Sequence, residues 1–336
     1  MKHVAIVLSL FVFNIFVLFG ASGHAAQKNP LVLTCLQSTY SFASILTKGT
    51  SIKVSNLGPA GYPMGRLGRY FKKHEKEVKD YAARADAVIT IRSVWKHDPL
   101  YLYARKWNIR IIEIDASMPF DPALTGVSIL EVPDSCPLLP DTQTGKSLRR
   151  EHQAISPYIW LSLSNASKML SIIAGDLKRL SPKDAAMINK NLAAFKKELF
   201  RLRLKYENIF AELESLEVFG LTDVFPYFTN NLNLNVTGYF LKDDFYWTEE
   251  DLSNLKIRLQ QDKIKVVIHK WEPKPEIIRA VMDAGAKLVV LNSMDPASNK
   301  EGRIDPDGYL KNMRNNLEII AKAFAASQLM ARQYGR

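Results

Sequence analysis

Cysteine and histidine, the usual ligands of transition metals, are both scarce here. The 336 residues hold two cysteines, Cys35 and Cys136. Two thiols so far apart in the chain do not make a zinc-ligand pattern. In an oxidising compartment they can pair or stay as buried thiols, and the sequence leaves both outcomes open. Cys35 falls in the apolar stretch LVLTCL and Cys136 in the proline-rich VPDSCPLLP. There are six histidines, and His3 and His24 lie in an N-terminal leader, leaving His74, His97, His152 and His269. No dense basic run with interleaved aromatics and no zinc-finger spacing occurs. The net charge of +11 therefore reads as that of a basic exported protein, not a nucleic-acid binder. Past the N-terminus no segment is apolar enough to cross a bilayer. No nucleophile–base arrangement with supporting context is visible, so no enzyme activity is expected.

What is present begins with the leader. Lys2 and His3 precede an apolar run from Val4 to Phe19, broken by Ser9 and Asn14. The small residues of GASGHAAQK follow, placed for cleavage after Ala25 or Ala26. The run is about sixteen residues, short for a membrane span. Residues 1–25 are therefore assigned as a cleavable signal peptide. No cysteine stands near the cut, so lipid anchoring is not expected, and the mature chain should be periplasmic.

A chain 47% hydrophobic and 24% charged suits a globular protein, and its length favours two domains. Short β-branched runs (31–36, 51–57, 86–91, 109–114) alternate with helical stretches, including one amphipathic helix over 69–85. That alternation predicts a mainly parallel sheet flanked by helices. Residues 115–154 lose periodicity. A helix over 164–180 follows. Ser181, Pro182 and Asp184 then mark the start of a long helix over 182–213, about 48 Å at 1.5 Å per residue. Its apolar positions do not hold a strict heptad, which favours a strut over a coiled coil. The alternation resumes over 215–223, 235–240, 265–270 and 286–292, with a capping box at Thr248 and Asp251, and a last helix covers 305–330. The expected fold class is α/β: an N-terminal lobe (26–181), a connecting long helix (182–213) and a C-terminal lobe (214–336). Ligands of such open sheets sit at strand C-terminal ends.

Four segments, in order, resemble the solute-binding proteins of zinc and manganese ABC importers. PYIWLSLSNASKM is similar to that family's His-hydrophobic-Trp-Leu segment. VFGLTDVFPYFTNNLNLNVTGYF resembles its strand followed by His-Asp-Ala-Phe. VVIHKWEPKPEII resembles its Glu-Pro-Gln-Phe-x-Pro turn, and LVVLNSMDP its Leu-Asp-Pro-Leu turn. The resemblance implies capture of a ligand between two lobes, delivery to an ABC permease in the inner membrane, and no catalysis. It implies no cofactor beyond a metal ion or metal chelate carried as cargo.

The residues at the ligand positions depart from that family. Tyr158 stands where a histidine is expected, Thr222 where another is expected, followed by a retained Asp223, and Asn292 is matched to the carboxylate of the last turn. The first histidine should fall in NLGPAGYPMGRLGRY, which has none; Tyr62, Met64 and Tyr70 are its candidates. Relatives of the zinc type often carry a His-rich loop, whereas 131–154 holds only His152. His269 and Glu272 are weaker candidates as replacement metal ligands, and Lys270 stands where relatives often have Glu. Asp223 is expected to orient its neighbours rather than bind directly. The glycines at 58, 61, 65 and 68 match neither dinucleotide nor P-loop spacing and read as a flexible turn. The ligand is thus expected to be a metal held by oxygen ligation or as a chelate. A non-metal polar or anionic solute is the alternative, as is a scaffold that kept the fold without a ligand.

Overall fold

A computed structural model describes residues 29–139, 154–300 and 303–334. The assigned signal peptide and His152 lie outside these described residues. The first lobe runs β1 (Leu31–Thr34), α1 (Gln37–Leu46), β2 (Lys53–Asn56), α2 (Leu67–Lys73), α3 (Glu75–Ala82), β3 (Ala87–Thr90), α4 (Leu100–Trp107) and β4 (Ile112–Asp115). Two helices follow, α5 (Leu163–Leu180) and α6 (Ala185–Ala211). The second lobe holds β5 (Glu217–Gly220), α7 (Pro226–Asn231), β6 (Asn235–Tyr239), α8 (Glu249–Gln261), β7 (Val266–His269), α9 (Pro275–Asp283) and β8 (Lys287–Val290). A small hairpin, β9 (Asn299–Lys300) and β10 (Arg303–Ile304), then leads into α10 (Gly308–Tyr334).

Each lobe is a four-stranded parallel sheet with the same winding, β2-β1-β3-β4 and β6-β5-β7-β8. The central strands are apolar on both faces because helices cover both; β3 (Ala87–Thr90) and β7 (Val266–His269) are buried at every position. One core is continuous from Val32 and Val88 through Trp160, Ile173 and Phe195 to Val266 and Met313, so it joins the two lobes. A second lies on the outer face of the second sheet, around Phe219, Leu255 and Val281.

The long helix forms as the sequence predicts, with one difference at its start. Residues Pro182–Asp184 make a 3₁₀ turn before the α-helix of 27 residues, about 40 Å long. Asp184 fixes that start to the first lobe by accepting Ser51 Oγ (2.6 Å) and Ser181 Oγ (2.7 Å). Farther along, Glu198 pairs with Arg314 of α10. The amphipathic helix read over 69–85 is in fact two, because His74 leaves helical geometry (φ −110°, ψ 36°) while its ring stacks on Tyr70 at 4.2 Å. The hairpin β9–β10 has no counterpart in the sequence reading. The capping box at Thr248 and Asp251 is present. Both cysteines are free: Cys35 sits against Asp98 in the first lobe, and Cys136 lies against Gly238 of β6 in the second.

Candidate functional site

Five segments that follow strand ends, or precede α5, converge between the lobes. The first is the turn after β2. Gly58 allows it to lie against β1, since a Cβ there would stand 2.5 Å from the Cys35 carbonyl oxygen, and Gly61 adopts φ +75°. This turn crosses to the other lobe. Gly61 N–H donates to the Ala297 carbonyl (3.0 Å), and Met64 N–H donates to the Asp295 carboxylate (2.6 Å).

The second segment carries Tyr158 and Trp160. The Trp160 indole is buried and donates to the Ser293 carbonyl (3.0 Å), while its own carbonyl accepts the Tyr309 hydroxyl (2.9 Å). Tyr158 packs edge-on against that indole at 5.5 Å. The rigid indole thereby aims the half-buried phenol at two carboxylates, Asp295 after β8 and Asp223 after β5. Burial, then the charges of Asp295 and Asp223, push the phenol well above its ordinary range. At neutral pH it is a neutral hydrogen-bond donor.

Asp295 is the meeting point. Its carboxylate accepts Met64 N–H and the Tyr158 hydroxyl and feels the ammonium of Lys270, which follows β7. Burial raises its pKa, and those three partners only partly offset the rise. The turn that carries it is shaped by Asn292, whose Oδ1 accepts Met294 N–H (2.7 Å) where Met294 takes φ +62°. Asn292 is itself fastened to α10: its N–H donates to Asn316 Oδ1 (2.8 Å) and its Nδ2 to Asn312 Oδ1 (3.1 Å).

Of the residues singled out from sequence, Tyr158 and Asp223 come together, and Met64 joins them through its backbone N–H. Thr222 is buried beside Asp223. Asn292 is not part of the cluster, because its side chain is spent on its own turn and on α10. The carboxylate near Tyr158 is Asp295, three residues on. The Asp-Pro pair in NSMDP was the signal for it, and matching Asn292 to the family's turn passed over that pair. Tyr239 was also missed; it ends β6, and burial and Asp223 raise its pKa. Tyr62 stands 5.3 Å from Tyr70, in a row with His74 on the first lobe.

Of the weaker candidates, His269 is engaged by partners outside this cluster. His269 Nδ1 accepts Lys270 N–H (2.8 Å) and Trp271 N–H (3.3 Å), and its Nε2 lies 3.6 Å from Asp244. Both ring nitrogens are thus engaged, and burial lowers the pKa. Glu272 is exposed. Among the described residues no group of three or more His, Cys, Asp or Glu side chains could hold a metal ion. The cluster offers the carboxylates of Asp223 and Asp295, the phenol of Tyr158, the phenol of Tyr239 near Asp223, and the ammonium of Lys270.

The sequence model of the zinc-uptake complex component A periplasmic family, ZnuA, matches residues 71–323. The manganese ABC transporter substrate-binding lipoprotein PsaA of Streptococcus pneumoniae is 22% identical over 338 residues, covering 96% of this chain and 99% of that protein. Among solved structures, FpvC of Pseudomonas aeruginosa in complex with Mn2+ superposes with a TM-score of 0.64 at 20% identity, covering 89% of this chain and 100% of that one. A crystal structure of ZnuA superposes with a TM-score of 0.61 at 18% identity, covering 88% and 99%.

Proposed function

The chain belongs to the periplasmic zinc-uptake component A family, and from that premise we propose that it is the solute-binding component of an ABC importer, taking its cargo between the two lobes and passing it to a permease in the inner membrane. The proposed cargo is a metal met by oxygen donors, or a metal delivered as a chelate. The observation that carries this is the composition of the cluster. Tyr158 offers a phenol where the resemblance to the zinc type implies imidazole, Asp223 and Asp295 add carboxylates, and Lys270 adds a positive charge beside them. A neutral phenol and two carboxylates suit a hard cation far better than zinc. Lys270 also favours a second reading, in which the ligand is a non-metal anion that pairs with the ammonium.

The mature protein is proposed to be free in the periplasm after cleavage near Ala26, unlike the lipoprotein relative, because no cysteine is available at the cut for acylation. Intact mass of the protein from a periplasmic extract should begin at Ala26 or Gln27, and a chain that still begins at Met1 would contradict export by cleavage. Native mass spectrometry and elemental analysis of the same sample test the cargo. A stoichiometric metal, with or without an organic mass, supports the first reading. An organic mass without metal supports the second, and an empty protein that no solute stabilises would refute both.

A further inference from the structure

Next to the cluster, the second lobe carries an aromatic lip that the cluster does not use. Phe245 is 80% exposed, Tyr246 72% and Trp271 46%, unusual values for large rings in one small area. Trp271 is held by its ring, and Phe245 and Tyr246 by the backbone of a short turn. Trp271 Nε1 donates to Asp244 Oδ2 (3.0 Å), and the Trp271 ring packs 4.8 Å from the buried His269 imidazole. His269 faces the other oxygen of Asp244, and Asp243 caps the short 3₁₀ turn by accepting Phe245 N–H (3.0 Å). The carboxylates of this segment are therefore engaged internally.

Two ammonium groups lie over these rings, and the carboxylate of Glu272, next to Trp271 in the chain, is exposed. Lys270 Nζ lies over the Trp271 ring at 4.7 Å, and Lys274 Nζ over the Phe245 ring at 5.0 Å. Lys270 is also the ammonium that acts on Asp295, so the lip and the cluster share a residue. The lip follows β6 and β7, at the strand ends where ligands of open parallel sheets sit.

We propose that this lip is a second ligand-contact surface, stacking a planar aromatic group of anionic character that belongs to a metal chelate whose polar end reaches Lys270 and Asp295. The proposal rests on the chelate reading of the cargo. The Trp271 ring, fixed by its hydrogen bond to Asp244, stacks with little loss of side-chain freedom, and the ammonium groups over the Trp271 and Phe245 rings complement a phenolate or carboxylate on the ligand. Continuity with the cleft through Lys270 favours a ligand over a protein partner as the occupant.

Calorimetry on the full mature chain tests it, with ferric salicylate as the aromatic chelate, ferric citrate as the aliphatic one, and free salicylate. The double variant Phe245→Ala/Tyr246→Ala should weaken ferric salicylate about tenfold and leave ferric citrate unchanged, as expected from the stacking contribution of two rings. Both side chains are exposed, so the melting temperature should hold and the loss can be assigned to contact. Equal affinity for ferric salicylate in parent and variant overturns the lip, as does the same weakening for citrate. If the parent binds ferric citrate but not ferric salicylate, the lip fails and the chelate reading stands. If it binds free salicylate through these rings and neither chelate, the lip stands and the chelate reading fails. Unchanged binding with loss of uptake in cells overturns the ligand role and makes the lip a permease contact.

Discussion

The Asp295 carboxylate accepts the Met64 backbone N–H at 2.6 Å, and this bond, with that from Gly61 N–H to the Ala297 carbonyl, joins the turn after β2 in the first lobe to the turn after β8 in the second. A carboxylate of the candidate site is thus also a fastener between lobes. Any cargo that takes Asp295 must share its oxygens with Met64 and Tyr158.

Removing that fastener should be costly. Asp295→Ala leaves the Met64 N–H without its partner and Lys270 without its nearby carboxylate. The expected loss is about 2–3 kcal/mol of unfolding free energy, measured by urea denaturation. Asp295→Asn keeps an acceptor for Met64 and should lose less. An alanine variant as stable as the parent would show that the bond contributes nothing.

Zinc should stabilise the natural chain little. When free ligand only equals its dissociation constant, stabilisation is about 0.4 kcal/mol, and it grows only with the logarithm of the excess. Tyr158→His with Thr222→His should restore a zinc-dependent rise in melting temperature, since imidazoles would join Asp295 near the cleft. Asn292→Asp should add nothing, because that side chain is turned to Asn312 and Asn316. Tight zinc binding by the parent in titration calorimetry would overturn this account of the cluster.

Asp98 should impose a pH dependence. It is fully buried, and desolvation raises its pKa to about 6 although Ile91 N–H and Leu100 N–H donate to it. Between about 4 and 6 the native state then holds a proton that the unfolded state has lost, so stability falls as pH rises through that window. Compared with Asp98→Asn, the parent should lose up to about 3 kcal/mol of relative stability between pH 4 and pH 7. Parallel pH profiles for the two proteins would refute the shift.

Lobe motion should be small. α6 packs on α1 and α10, α10 packs on α1 and β8, and the main core runs through all of them. Hinge opening would have to break this shared packing. The radius of gyration from solution scattering should therefore change little when ligand is added. A large change would mean the helices do not act as a strut.

The sequence by itself determined the local elements and their order. The period-2 and period-3.6 patterns, the Thr248–Asp251 box and the Ser181-Pro182 start depend on neighbours a few residues apart, so the local order of residues alone carries them. It also carried Tyr158 and Asp223, because each sits beside a segment with a recognisable frame. Tertiary structure decided the rest. His74 interrupts a helix that its periodicity allows, taking φ −110° and ψ 36° between α2 and α3. Asn292 and Asp295 lie three residues apart in one turn, and only the contact of that turn with α10 on one side and with Met64 on the other decides which enters the cleft. His269 reads as a ligand by residue type, yet the backbone of Lys270 and Trp271 and the carboxylate of Asp244 occupy its ring. These are contacts between chain segments far apart in sequence, or choices between neighbouring side chains that burial settles, and no local pattern encodes them.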